Sequence, residues 1–377
     1  MRRRAFLVAT AGAATAAGCL ETLGLQTQSA WRDPPLVDNC PQAVYYPAVT
    51  EGMAMYGMHS AGPYMTALMY SYPHRFWSTN GDDVGKTVVE EDDSIHLMAT
   101  IWDKQSGVVI PIDAGLSAEI TQNGELVSQE VIYPMLSQQM GFHYGSNFTL
   151  NGDGTYTAEV SIGGTQMRRT GRFAEEFSNP VTATFEFQFD TAEMYDLEVK
   201  RLPKKQGQRG AVEPMDMGMG VPIGHAPPMD ALPGTLLGTN RSGDAKFVVN
   251  GIQGREDGVK RLAVFPRTPY NRIVLPFMSL SATVARDGQQ VFDGPLKQTL
   301  DPDIGYHYSA TVDGIQSGDD VEISVNTPPQ IARHDGYETA FIDMQPVRIT
   351  VPDSITHSSS VKLENHHTAR CSPSPVV

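Results

Sequence analysis

The sequence predicts an all-β protein of two immunoglobulin-like β-sandwich domains related by duplication. Three observations carry that expectation. Short runs alternate polar and apolar residues, as in Thr182-Ala183-Thr184-Phe185-Glu186-Phe187-Gln188-Phe189, Tyr156 to Ile162 and Val321 to Val325. A period of two puts every second side chain on one face of a strand, whereas helical periodicity is almost absent. Turn pairs such as Asn123-Gly124, Asn151-Gly152, Asp287-Gly288 and Asp313-Gly314 punctuate these runs at the spacing of a sandwich.

The third observation is an internal repeat. Ile110-Pro111-Ile112 through Leu116-Ser117-Ala118 is echoed by Leu275-Pro276-Phe277 through Leu280-Ser281-Ala282. Gly141-Phe142-His143-Tyr144 then matches Gly305-Tyr306-His307-Tyr308, and Glu159-Val160-Ser161-Ile162 matches Glu322-Ile323-Ser324-Val325. The offset stays near about 164 residues throughout, a register that chance does not hold over such a length.

The chain therefore divides into a signal over 1–19, a connection over 20–35, a first sandwich over 36–200, a Met/Pro/Gly-rich linker over 201–235, a second sandwich over 236–352 and a polar, disordered tail over 353–377. Arg2-Arg3-Arg4-Ala5-Phe6-Leu7 followed by a short apolar run reads as a twin-arginine export signal. Ala16-Ala17-Gly18-Cys19 reads as a lipobox in which Cys19 is acylated. These features predict a protein anchored by lipid to the outer face of the cell membrane. The formal charge of −15, from 43 acidic and 28 basic residues, argues against nucleic acid, whose phosphates require Lys and Arg. Cys40 and Cys371 sit far apart and have neither a disulfide framework nor zinc-site spacing.

Candidate chemistry concentrates in His and Met. In Ile95-His96-Leu97-Met98, His96 and Met98 share one face of a strand, and Met135 and His143 follow on later strands. Imidazole with thioether favours copper, Cu(I) above all, over hard cations. Met215, Met217, Met219 and Met229 with His225 form a second Met-rich group, in a segment with no strand pattern, that reads as a Cu(I)-catching stretch. The earlier group of Met53, Met55, Met58 and His59 precedes a strand and reads as packing. No nucleophile elbow, acid dyad or phosphate loop is present, so the protein is expected not to be an enzyme.

The run from Ile95 through Phe189 resembles the periplasmic iron-transport accessory proteins, the Fe2+ transport protein family. That resemblance rests on His96, on Met135 as the second Met of a Met-Pro-Met segment, and on the His143-Tyr144-Gly145 loop. It implies a copper-binding sandwich, often dimeric, that serves iron uptake beside a permease, with copper or iron as its metal. Met98 stands where the family has Glu, and Arg168-Arg169 stand where it has Arg-His. In the second domain His307 keeps the loop position, Arg333-His334 resembles the later Arg-His, and Arg261 stands where His96 would be. The expected site is therefore His96, Met98, Met135 and His143 in the first domain. His307 and His334 are candidates of the second, which is expected to be structural. The alternative is an extracytoplasmic interaction module for protein or glycan without a functional metal site; a copper redox enzyme would further require an open coordination position and a redox partner.

Overall fold

The computed structural model describes residues 34–253 and 259–353. The expectations for the export signal, Cys19, Cys371 and the polar tail lie outside the described residues. Among those that are described, no helix is long and apolar enough to cross a membrane.

The first half contributes β1 (Val49–Glu51), β2 (Ala54–Ala61), β3 (Tyr64–Ser71), β4 (Phe76–Asn80), β5 (Asp83–Thr87) and β6 (Ile95–Asp103). It continues through β7 (Leu116–Gln122), β8 (Glu125–Ser137), β9 (Gly141–Phe148), β10 (Gly154–Ile162), β11 (Arg168–Arg169), β12 (Val181–Phe189) and β13 (Val199–Arg201). The second half contributes β14 (Thr235–Ser242), β15 (Ala245–Gln253), β16 (Val259–Arg267), β17 (Ser279–Arg286) and β18 (Gln289–Asp301). It ends with β19 (Gly305–Asp313), β20 (Asp320–Thr327), β21 (Ala332–Arg333) and β22 (Val347–Thr350).

The two halves repeat one strand order. In the first it runs β12-β10-β7-β8-β9-β6-β3-β2, and in the second β22-β20-β17-β18-β19-β16-β15-β14. Each half folds into a sandwich because one long strand turns the corner between its two sheets. Residues 125–132 of β8 pair with β7 and residues 133–137 with β9; likewise residues 289–296 of β18 pair with β17 and residues 297–301 with β19. Both β7–β8 and β17–β18 hairpins turn on the residues read from sequence. Asn123 and Gly124 have φ of 54° and 82°, and Asp287 and Gly288 have 49° and 76°, the left-handed pair a tight hairpin requires.

The period of two decides what is buried. In β12, Ala183, Phe185, Phe187 and Phe189 point inward while Thr182, Thr184, Glu186 and Gln188 are exposed. Tyr56 on β2 stacks between Tyr70 and Phe187, at 4.3 and 4.4 Å between ring centroids, and so joins the two sheets at their open side. Strand β6 departs from alternation, with all nine residues buried. One of its faces supplies the core; the other, carrying His96, Met98 and Thr100, is covered from outside.

That cover comes from the other half of the chain. After β20 the chain leaves its own sandwich, and β21 pairs in parallel with β8, Ala332 opposite Met135 and Arg333 opposite Leu136. The exchange is reciprocal: β11 of the first half pairs in parallel with β18, Arg168 opposite Thr299 and Arg169 opposite Leu300. Arg333 is fully buried and donates to the carbonyls of Pro329 and Phe341, bracing the loop on both sides of β21. Further stitches join the halves near the start of the described chain. Val44 N donates to Asp244, Tyr45 Oη to Glu338, and Thr339 Oγ1 to Pro41 O at 2.8 Å.

At the end of β6, Asp103 anchors the turn that leads into the exchange. Its carboxylate accepts from Ser106 N at 2.6 Å and from Arg172, which lies just beyond β11. Burial alone would raise the Asp103 carboxyl, but the hydrogen bonds from Arg172 and Ser106 outweigh it and hold the group below its ordinary value. A carboxyl depressed in the folded state stabilises above its unfolded pKa of about 3.9 and loses that contribution as pH falls through the folded value. Asp103→Asn is expected to cost about 2–3 kcal/mol at pH 7. The difference from wild type in urea unfolding should shrink below about pH 4; a constant difference across that range would show that the charge is not what matters.

Candidate metal centre

Strand geometry brings the histidines together on the outer face of the first sandwich. His96 lies opposite Asn147 and Ser71, Met98 opposite Gly145, and Met135 opposite His143, so all of these share one face across β3, β6, β9 and β8. Two further histidines join them. His74 follows β3 past Pro73, which ends the strand, and its ring centroid lies 4.0 Å from that of His96. His334 follows β21, and its ring lies 4.7 Å from His74, 5.3 Å from His143 and 6.0 Å from His96. Ligand nitrogens of His74, His96 and His334 all lie within 4.8 Å of one another.

The partners of these rings fix their protons. His96 Nδ1 is 2.7 Å from Asn147 Oδ1, and the Asn147 amide NH2 donates to His74 O and Asp93, so the oxygen must accept and Nδ1 must carry the hydrogen. His143 Nδ1 donates to the carbonyl of Gly141 at 3.1 Å. His74 Nδ1 faces the Glu51 carboxylate at 3.2 Å. The proton on Nδ1 leaves Nε2 as a bare lone pair in His96 and His143, and in His74 when its ring is neutral. The Nε2 atoms of His74, His96, His143 and His334 are all buried without a hydrogen-bond partner. Burial, together with repulsion from its neighbours, pushes the pKa of His96 and of His334 well below the ordinary histidine value and that of His143 down to about 4.

A buried acceptor left without a partner costs about 1–3 kcal/mol. Lone pairs that face one another cannot satisfy one another; they call for a cation. The thioethers stand beside them. A Cβ on Gly145 would lie 2.7 Å from His96 Nε2 and 3.1 Å from Met135 Sδ, so glycine keeps open the hollow between imidazole and thioether. Met98 lines the adjoining cleft with His74, His143 and His334. Soft sulfur and neutral imidazole with no free carboxylate suit copper, and the residues present fit that metal. Glu51 is taken by His74, and Asp335 by Arg75 at 2.6 Å.

Of the candidates read from sequence, His96, Met98, Met135 and His143 gather here. His334 is corrected in position: expected with the second domain, it lies among the histidines of the first because β21 crosses over. His307 stands apart, its ring stacked on Phe265 at 5.2 Å. The Arg-His alignment is also corrected. Thr170 N donates to Leu300 O as His334 N donates to Leu136 O, so Arg169-Thr170, not Arg168-Arg169, stands where the second half has Arg333-His334. Met167 packs in the core. His74 escaped the sequence reading; the signal was a histidine just beyond a strand whose neighbour carries His96. In the Met-rich segment Met217 packs against the core, whereas Met219 and Met229 are exposed. His225, also exposed, has its Nδ1 2.8 Å from Asn271 O.

The comparisons with known proteins follow the same division. Residues 230–350 match a domain of unknown function (DUF7350). No curated protein matches the chain. Among solved structures, a copper-bound variant of FetP from uropathogenic Escherichia coli is similar at 19% identity with a TM-score of 0.28, over 37% of this chain and 92% of that one. FetP as isolated, from the same bacterium, is similar at 18% identity with a TM-score of 0.27, over 37% of this chain and 95% of that one. The first sandwich is the part with a named family, for residues 83–191 match the Fe2+ transport protein family.

Proposed function

We propose that this chain is an extracytoplasmic copper-binding protein that serves iron uptake as an accessory to a permease. The observation that carries the copper reading is the convergence of buried, unpartnered imidazole Nε2 atoms beside Met135 and Met98. His74, His96, His143 and His334 with these thioethers would hold the ion, and copper would supply there a soft, redox-active centre. Cu(I) is favoured. Every donor is neutral, so a monovalent ion leaves one buried positive charge where a divalent ion leaves two, and burying charge is costly. The link to iron uptake rests on the family match of residues 83–191. Because the second half of the same chain supplies His334, one chain suffices and the homodimer expected from the resemblance is not required for binding.

The expected stoichiometry is one Cu(I) per monomer. His96→Ala, His143→Ala and His334→Ala are each expected to weaken Cu(I) binding at least about 100-fold in competition with a chromophoric chelator. His307→Ala should leave it unchanged. Full affinity in His334→Ala would sink the composite site, and no copper binding by the wild type would favour the interaction-module reading.

Acid should destabilise the metal-free protein. Folded His96, His143 and His334 bind protons less readily than unfolded histidines, whose pKa is about 6.5, so stability should fall as pH drops below that value. Thermal unfolding of the metal-free protein should decline from pH 7 to pH 5, and the His96→Ala/His143→Ala variant should decline less steeply. Equal slopes would contradict the assignment of buried neutral rings.

Export and anchoring complete the proposal. Cys19→Ser is expected to move the mature protein from the membrane fraction to the soluble one, and Lys-Lys at Arg3-Arg4 to block export. A wild type recovered wholly in the soluble fraction would exclude the lipid anchor.

A further inference from the structure

Strand register reveals what occupies the equivalent site in the second half. Arg261 takes the place of His96, Ala263 of Met98, Thr299 of Met135, Ser309 of Gly145 and Thr170 of His334, while His307 keeps the place of His143. The hollow that Gly145 leaves open is closed here, since the Thr299 and Ser309 hydroxyls bond each other at 3.0 Å. One imidazole and no thioether remain, which is no site for a soft cation.

What replaced it is positive. An open cavity of about 560 Å³ lies on this face, lined by Gln166, Arg168, Lys297, Ser309, Thr311 and Phe292, with Ala310 behind. Arg261 is paired across the sheet with Thr311, and Arg168 with Thr299. Among the described residues, the side chains of Arg168, Arg261 and Lys297 have no hydrogen bond or ion pair. Arg168 is partly buried, and burial together with repulsion from Arg261 makes its charge costly to hold. Asp301, at the end of β18, offers no relief. It accepts from Thr170 Oγ1 at 2.6 Å and from the backbone of Asp303 and Ile304, and so is already engaged. Arg168 and Lys297 thus line the hollow, and Arg261 stands beside them on the same face of the sheet, in a protein whose formal charge is −15.

We propose that this cavity binds a small organic polycarboxylate. Arg168 and Lys297 on the wall, with Arg261 beside Thr311 on the same face, supply the charge, and the Gln166 amide with the Ser309 and Thr311 hydroxyls supplies further hydrogen bonds. Guanidinium groups match carboxylates in planar, two-point contacts. The size separates this ligand from an inorganic oxyanion: a cavity in the range of about 300–1,000 Å³ is that of an organic molecule, and the Phe292 ring gives a carbon skeleton a wall to lie against.

The test is calorimetric titration of the metal-free full chain with citrate, inorganic phosphate and acetate, in wild type, Arg168→Ala and Arg261→Ala. Citrate should bind at least tenfold tighter than phosphate or acetate. Each variant should weaken citrate at least tenfold while its Cu(I) affinity stays that of wild type, which certifies that the fold is intact. Absence of citrate binding overturns the proposal. So does citrate binding that neither variant weakens, or phosphate binding as tight as citrate, which would make the cavity a site for inorganic oxyanions.

Discussion

The parallel pairing of β21 with β8 is the contact on which the candidate metal centre depends. A two-residue strand is a weak element in isolation, since its ladder contributes only a few hydrogen bonds. It persists because side chains brace it. Arg333 donates to carbonyls on both sides of it, and Arg75 grips Asp335 through two bonds at 2.6 and 3.3 Å. Arg75 is the neighbour of His74, and Asp335 that of His334, so the same ion pair that closes the crossover brings the two histidines edge to face, 4.7 Å apart. β21 and the residues after it close one side of the cleft over His96 and Met98, whose other walls come from β1 and the residues beside it.

Enclosure changes the chemistry of the rings. In water a histidine can satisfy either nitrogen and titrates near neutrality. Here the outer nitrogens face Asn147, Gly141 and Glu51, and the inner ones are buried together. This division fixes the tautomers of His96 and His143 and turns their lone pairs inward, and burial holds the pKa of His96, His143 and His334 below the ordinary histidine value. A second consequence concerns selectivity. The carboxylate nearest in role, Glu51, acts on His74 Nδ1 and so strengthens a nitrogen donor; it does not offer a hard oxygen to the ion.

Sequence carried the sheet architecture well because its signals are local. Alternation in β10 and β12, the Asn-Gly and Asp-Gly hairpins, and the shared face of His96 and Met98 follow from neighbours two residues apart. His334 could not be assigned this way. The repeat correctly pairs the two halves, yet it predicts that each Arg-His belongs to its own domain, and nothing local reveals that β11 and β21 trade places. The same exchange displaced the alignment at Arg168-Arg169 by one residue, since only the register with β18 identifies Thr170 as the counterpart of His334. His74 was lost for a different reason. A lone histidine beyond Pro73 has no periodicity to mark it, and it acquires significance only once β3 is known to lie beside β6.

Reciprocal exchange makes both halves of the chain necessary to each site, and this explains how the two could become unlike. In a symmetric pair of identical subunits, any substitution appears in both sites at once. A single chain with two unequal halves is free of that constraint. Ser309 can fill the hollow that Gly145 must leave empty, and Arg261 can occupy the place of His96, without touching the first site. Yet the halves remain coupled through the crossing strands. Arg168 reaches the cationic cavity on β11, which lies only a few residues from Arg172 and its bond to Asp103 at the end of β6. Strand β6 also carries His96 and Met98, so a path of contacts runs from the histidine cluster along β6, across the Asp103–Arg172 ion pair and back along the chain to Arg168 at the second cavity.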